Sequence, residues 1–148
     1  MRVHAVIDTN VLISSLITAD FDSPTVSVIR EIRDGGIIPI YSDYLLAEYH
    51  EVLSRSKFRI PEDIIEHIIE MFIDRGVKIE PDEEFVMMPD PDDIPIFLIT
   101  MQTRELDSYL VTGNTKHYPA ADYVVTPRRM IEILHGNTLR LLKNRNNS

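Results

Sequence analysis

The chain contains no cysteine, which excludes disulfides and thiolate zinc sites and fits a reducing compartment, the cytoplasm being the expected location. Its apolar stretches are broken within about ten residues, far short of the roughly 20 needed to cross a bilayer, so no membrane role is expected. The opening Met1-Arg2-Val3-His4 leads directly into a strand-like segment, without the charged, apolar and cleavage regions of a secretory leader. No GxGxxG or P-loop pattern occurs, so nucleotide binding through a glycine-rich cradle is unsupported. Positive charge is scarce as well. Against 24 Asp and Glu stand 15 Lys and Arg, a net charge of −9, and this argues against gripping nucleic acid by bulk electrostatics.

At 148 residues, with 44% hydrophobic and 26% charged residues, the chain fits one globular domain. Strand-like and helix-like patterns alternate along it, the signature of an α/β fold with a mainly parallel sheet. Strands are expected at Val3–Ile7, Ile37–Tyr41, Val77–Ile79, Tyr109–Thr112 and Tyr123–Val125. Helices are expected from Val11, from Ser23-Pro24 to Gly35-Gly36, from Ser42 or Asp43 to Ser54, from Pro61-Glu62 to Arg75-Gly76, over Ile96–Leu106, and from Thr126-Pro127 to Leu134, with Gly136 ending the last. Residues 1–136 form the expected domain and 137–148 a C-terminal tail. The stretch Glu80 to Asp93 has no sustained period and reads as a long, functional loop.

Charge is segregated. Glu80, Asp82, Glu83, Glu84, Asp90, Asp92 and Asp93 crowd that loop, whereas Arg55, Lys57 and Arg59, Arg128-Arg129, and Arg140, Lys143 and Arg145 form basic runs; each run alone reads equally well as solvated surface. Asp8 follows the first strand directly, where ligands bind in open parallel sheets, although an Asp there also suits a helix cap. Glu48 lies on or beside the apolar face made by Leu45, Tyr49, Val52 and Leu53. A carboxylate there needs a cation or hydrogen bonds, unless it turns out to solvent. In Pro89-Asp90-Pro91-Asp92-Asp93 the last acid falls at the start of a helix, where capping is again the competing role. Val111-Thr112-Gly113-Asn114 ends a strand at the same sheet edge, and a left-handed turn at Gly113-Asn114 explains it equally well. Hard oxygen donors without Cys or a close His pair favour Mg²⁺ or Mn²⁺ over zinc, and phosphodiester hydrolysis is the natural reaction for such a site.

Taken together, Val6-Ile7-Asp8-Thr9-Asn10-Val11-Leu12, Leu46-Ala47-Glu48, Asp90-Pro91-Asp92-Asp93 and Leu110-Val111-Thr112-Gly113-Asn114 resemble the PIN-domain family, most closely the toxin components of bacterial and archaeal toxin–antitoxin pairs. The resemblance spans about Val3 to Leu134, in order. It implies a three-layer α/β/α domain around a central, mainly parallel sheet, and an endoribonuclease dependent on Mg²⁺ or Mn²⁺. It further implies an RNA substrate, a cognate antitoxin protein as inhibitor and a homodimer. Carried over by position, the metal ligands are Asp8, Glu48 and Asp93, with Asp90 as a helper. Asn114 stands where many members carry Asp; this removes one charge and weakens the case for two tightly bound metals, and its remaining task is to orient a metal-bound water. Thr9, Thr112 and Lys116 are expected near substrate, and His117 is a further base within reach of phosphate. Two rivals remain. One is a PIN fold that binds RNA or protein without cutting. The other is a phosphatase using Asp8 as nucleophile, which is disfavoured because the position two residues on is Asn10 rather than an acid.

Overall fold

A computed structural model describes residues 2–81 and 91–146, with side chains through residue 136. Strand β1 (Val3–Ile7) lies at the centre. Its consecutive residues Ala5, Val6 and Ile7 are all fully buried. Successive side chains point to opposite faces of a strand, so this run requires cover on both faces, as parallel sheets have. The other strands are β2 (Ile37–Tyr41), β3 (Val77–Lys78), β4 (Tyr109–Val111) and β5 (Val124–Val125). They assemble in the order β3-β2-β1-β4-β5, every pairing parallel, with Val3 opposite Ile37 and Ile7 opposite Val111. The sheet therefore grows outward from β1 in both directions, and the chain switches sides between β1 and β4. Loops at that switch diverge and leave a crevice at the C-terminal strand ends.

Among the described residues six helices sandwich the sheet in three α/β/α layers: α1 (Thr9–Ile17), α2 (Pro24–Asp34), α3 (Asp43–Leu53), α4 (Glu62–Arg75), α5 (Ile94–Gln102) and α6 (Pro127–Asn146). None is long and apolar enough to cross a membrane. Local signals set several ends. The Ser23 hydroxyl accepts from the Val26 N–H, Pro24 fills the first turn of α2, and Gly35 closes it at φ 90°. The Ser42 hydroxyl accepts from the Leu45 N–H and starts α3. Fully buried Tyr49 of α3 meets Phe72 of α4 edge to face at 5.4 Å, and its hydroxyl donates to the carbonyl of Ile7. That bond fixes α3 over the end of β1.

Two helix ends differ from expectation. The helix expected over Ile96–Leu106 runs from Ile94 to Gln102 and gives way to a 3-10 turn at Arg104–Leu106. There the Ser108 hydroxyl donates to the Thr100 carbonyl at 3.3 Å, replacing a helical N–H. The stop expected at Gly136 is absent, and α6 continues to Asn146. Glycine in a helix interior costs only ~1 kcal/mol relative to alanine, too little to break a helix unaided.

Gly76 holds a different position. A Cβ there would run into the backbone carbonyl oxygens of Pro39 and Phe72, so the absent side chain is what lets the end of α4 cross β2. Gly76→Ala is expected to destabilise the protein by about 1–3 kcal/mol through overpacking, whereas Gly136→Ala, with open space around it, should stabilise it by up to ~1 kcal/mol. Urea unfolding of the two variants checks both signs.

Candidate active site

Asp8 is the first residue past β1 and the N-cap of α1, yet its side chain makes no capping hydrogen bond. The carboxylate is instead drawn into the fold. Its Oδ2 accepts from the Thr112 hydroxyl at 2.8 Å, the Tyr118 hydroxyl at 3.0 Å and the Asn10 amide at 3.3 Å. The Asp8 N–H donates to the Val111 carbonyl at 2.9 Å, extending the β1–β4 pairing one residue past the strand. At 6% exposure a carboxylate needs such donors, since burying it without them would cost several kcal/mol. The capping role is thereby excluded.

Glu48 is half-buried on α3 and faces the same crevice, held there because its neighbour Tyr49 is tied to Ile7. The Thr9 hydroxyl lies 3.5 Å from its Oε2. Its pKa is pushed up to about 7, first by burial and then by the charges of Asp92 and Asp8, with Asp93 adding a smaller push and the Thr9 hydroxyl opposing. Glu48 therefore does not turn out to solvent; it faces other acids.

Asp93 closes a 3-10 turn (Pro91–Asp93) and is the N-cap of α5, again without a side-chain capping bond. Its Oδ1 accepts from the Tyr118 hydroxyl at 3.2 Å, and its Oδ2 faces His117 Nδ1 at 3.7 Å. The Asn114 Nδ2 meets His117 Nε2 at 2.9 Å; an amide nitrogen only donates, so Nε2 accepts and the neutral imidazole carries its proton on Nδ1, the side that faces Asp93. Burial and the nearby Asp8 and Asp93 charges hold the Tyr118 phenol well above its ordinary pKa.

Asp8, Thr9, Glu48, Asp92 and Asp93 thus line one cleft of about 510 Å³, with Tyr44 and Arg55 further along its wall. Of the residues expected in the site, the fold brings together Asp8, Glu48, Asp93 and Thr9. Thr112 is fully buried and its hydroxyl is committed to Asp8. Asn114 does not line this cleft; its amide goes to His117 and its N–H to the Thr112 hydroxyl at 3.1 Å. Gly113 is not in the left-handed region and donates its N–H to Asn10 Oδ1 at 3.1 Å, so the pair is an orienting bridge rather than a left-handed turn. Lys116 faces a separate cleft of about 950 Å³ together with Tyr109 and Arg129. Asp90 lies outside the described residues. Sequence reasoning missed Tyr118 altogether, and it counted Asn10 in the first-strand motif without giving its side chain a task. Tyr118 sits in no pattern that marks it, because its partners Asp8 and Asp93 are distant in sequence, and the bond from Gly113 to Asn10 likewise joins distant segments.

All four carboxylates are hard oxygen donors, and the repulsion registered at Glu48 is of the kind a divalent cation relieves, so the donor type fits Mg²⁺ or Mn²⁺. As the side chains stand, no three His, Cys, Asp or Glu among the described residues are gathered tightly enough to hold a metal ion. The model of the PIN domain matches residues 4–116, most of the chain. The chain belongs to the PIN-domain family, whose members are generally nucleases and usually depend on divalent metal. No curated protein and no solved structure matches it.

The raised Glu48 pKa has a thermodynamic consequence. Between its ordinary 4.5 and its folded value of about 7, the folded protein holds a proton that the unfolded chain gives up, so this group's contribution to stability is full below pH 4.5 and is lost as the pH rises through 7. Without divalent metal, Glu48→Gln should therefore melt increasingly above the wild type as pH climbs across this range, with the difference constant at higher pH. Melting curves in EDTA from pH 4.5 to 8.5 check this; a difference independent of pH would contradict the assigned shift.

Proposed function

We propose that this protein is a Mg²⁺- or Mn²⁺-dependent endoribonuclease that acts in the cytoplasm as the toxin of a toxin–antitoxin pair. The observation that carries the nuclease reading is the convergence of Asp8, Glu48, Asp92 and Asp93 in one cleft at the β1/β4 switch. Asp8, Glu48 and Asp93 are the proposed metal ligands, and Asp90 is retained as a helper. When bound, the metal would lower the pKa of a water and stabilise charge on the leaving oxygen of a phosphodiester. The chain's own residues do the rest. Thr112, Asn10 and Tyr118 fix the Asp8 carboxylate, and Thr9 steadies Glu48. Asn114 acts at one remove, by holding the His117 imidazole beside Asp93. The toxin role, inhibition by a small antitoxin and pairing into homodimers rest on family resemblance alone.

The cleft wall supports an RNA strand over a small phosphomonoester. Tyr44 is 57% exposed, a large aromatic surface beside the acids, and Arg55 lies at the same wall, paired to Glu51 at 3.1 Å. In a chain of net charge −9, stacking of an unpaired base on Tyr44 would supply affinity that bulk phosphate attraction does not, and Arg55 would meet one phosphate. Single-stranded or loop RNA is therefore the proposed substrate.

Asp8→Asn should abolish Mn²⁺-dependent cleavage of a mixed RNA pool while the melting temperature in EDTA stays near that of the wild type; cleavage at the wild-type rate would refute the site. The rival non-cutting module is favoured by Asn114 standing in place of an acid. It predicts no thermal stabilisation by Mn²⁺, whereas the enzyme should gain about 2.7 kcal/mol at Mn²⁺ one hundred times its Kd. Tyr44→Ala should raise KM for single-stranded RNA roughly tenfold, as loss of one base stack implies, with kcat changed far less.

A further inference from the structure

We infer that Tyr118 is the positioning residue of the acid site, its single hydroxyl tethering Asp8 and Asp93 so that the two carboxylates act as one unit. The inference rests on the metal-binding reading above for its consequence, but its geometry stands without a metal. Tyr118 follows a 3-10 turn (Thr115–His117) beyond β4 and is only 5% exposed. Its ring packs on Phe97 of α5 with centroids 6.3 Å apart, so it is seated against the helix that Asp93 begins. From there the hydroxyl reaches Asp8 Oδ2 at 3.0 Å and Asp93 Oδ1 at 3.2 Å. One group thus contacts carboxylates carried by the end of β1 and the start of α5.

A phenol carries one proton and both neighbours are acceptors, so it donates to one carboxylate at a time. Asp8 Oδ2 is secured independently by the Thr112 hydroxyl at 2.8 Å and the Asn10 amide at 3.3 Å. The Tyr118 proton can therefore swing to Asp93 without leaving Asp8 bare. Thr112 and Asn10 orient Asp8 alone, whereas Tyr118 sets the spacing between the two acids. Partners that orient metal ligands in this way commonly change metal affinity by 10- to 100-fold when removed.

The test is Tyr118→Phe, which keeps the ring on Phe97 and removes only the hydroxyl, studied in the full-length chain. Calorimetric titration with Mn²⁺ should show about tenfold weaker binding than wild type, and the same substitution in an Asp93→Asn background should change affinity less than twofold. A purely structural role would lower the melting temperature in EDTA and weaken Mn²⁺ equally in both backgrounds, which would overturn the proposal. Unchanged or tighter Mn²⁺ binding by Tyr118→Phe would overturn it too. A second, metal-free readout is ¹³C NMR of the side-chain carboxyls in EDTA. The tether requires that the Asp8 and Asp93 signals both move in Tyr118→Phe, and movement of only one or neither contradicts it. If the wild type binds no Mn²⁺ but both signals move, the metal reading fails and the tether stands.

Discussion

The hydrogen bonding of Asp8 Oδ2 is the constraint on which the site depends. Three donors from separate segments, Asn10 at the start of α1, Thr112 at the end of β4 and Tyr118 beyond it, meet on one carboxylate oxygen. Buried carboxylates demand such partners, so the same contacts that make Asp8 tolerable close the β1/β4 switch. A secondary net reinforces the closure: the Asn10 side-chain Oδ1 accepts from the Gly113 N–H, and the Thr112 hydroxyl accepts from the Asn114 N–H. Asn10, which an acid-seeking reading passes over, earns its place by presenting a donor to Asp8 and an acceptor to Gly113 at once.

Around this hub the fold sets charges against one another. Glu48 is pressed toward Asp8, Asp92 and Asp93, and its pKa rises to about 7. Its helix is seated by its neighbour: Tyr49, buried against Phe72 and bonded to the Ile7 carbonyl, sets the face that α3 turns to the cleft. Hydrophobic packing thus enforces an arrangement that electrostatics opposes. Local conflict of this kind, in an otherwise self-consistent fold, is characteristic of functional sites.

The acidic balance of the chain is easier to understand once its charges are placed. Asp8, Glu48, Asp92 and Asp93 share one cleft. Arg55 flanks it, already paired to Glu51, while Lys116 and Arg129 border a different cleft. The net charge of −9 therefore describes no single surface. An acid-lined cleft with one exposed aromatic and one arginine suits a ligand held by stacking and point contacts better than one held by a broad electropositive face.

The sequence by itself determined the α/β architecture, because the buried run Ala5-Val6-Ile7 and the caps at Ser23, Ser42 and Gly35 are local signals that the fold had no cause to override. It also offered Asp8, Glu48 and Asp93 as candidate site acids through their places after a strand, on an apolar helix face and at a helix start, each with a capping or solvent role as competitor. Local signals were weaker where energies were small, as at Gly136, whose modest helix penalty was insufficient to end α6. Only the tertiary structure decided whether those acids cap helices or face each other, since capping and site roles occupy the same sequence positions and differ only in where the side chain finds donors. It alone revealed Tyr118, which reaches Asp8 and Asp93 across the sheet edge, and it tied Gly113 to Asn10. Such contacts between distant segments leave no periodicity in the chain, because they arise from how β1, β4 and α5 come together.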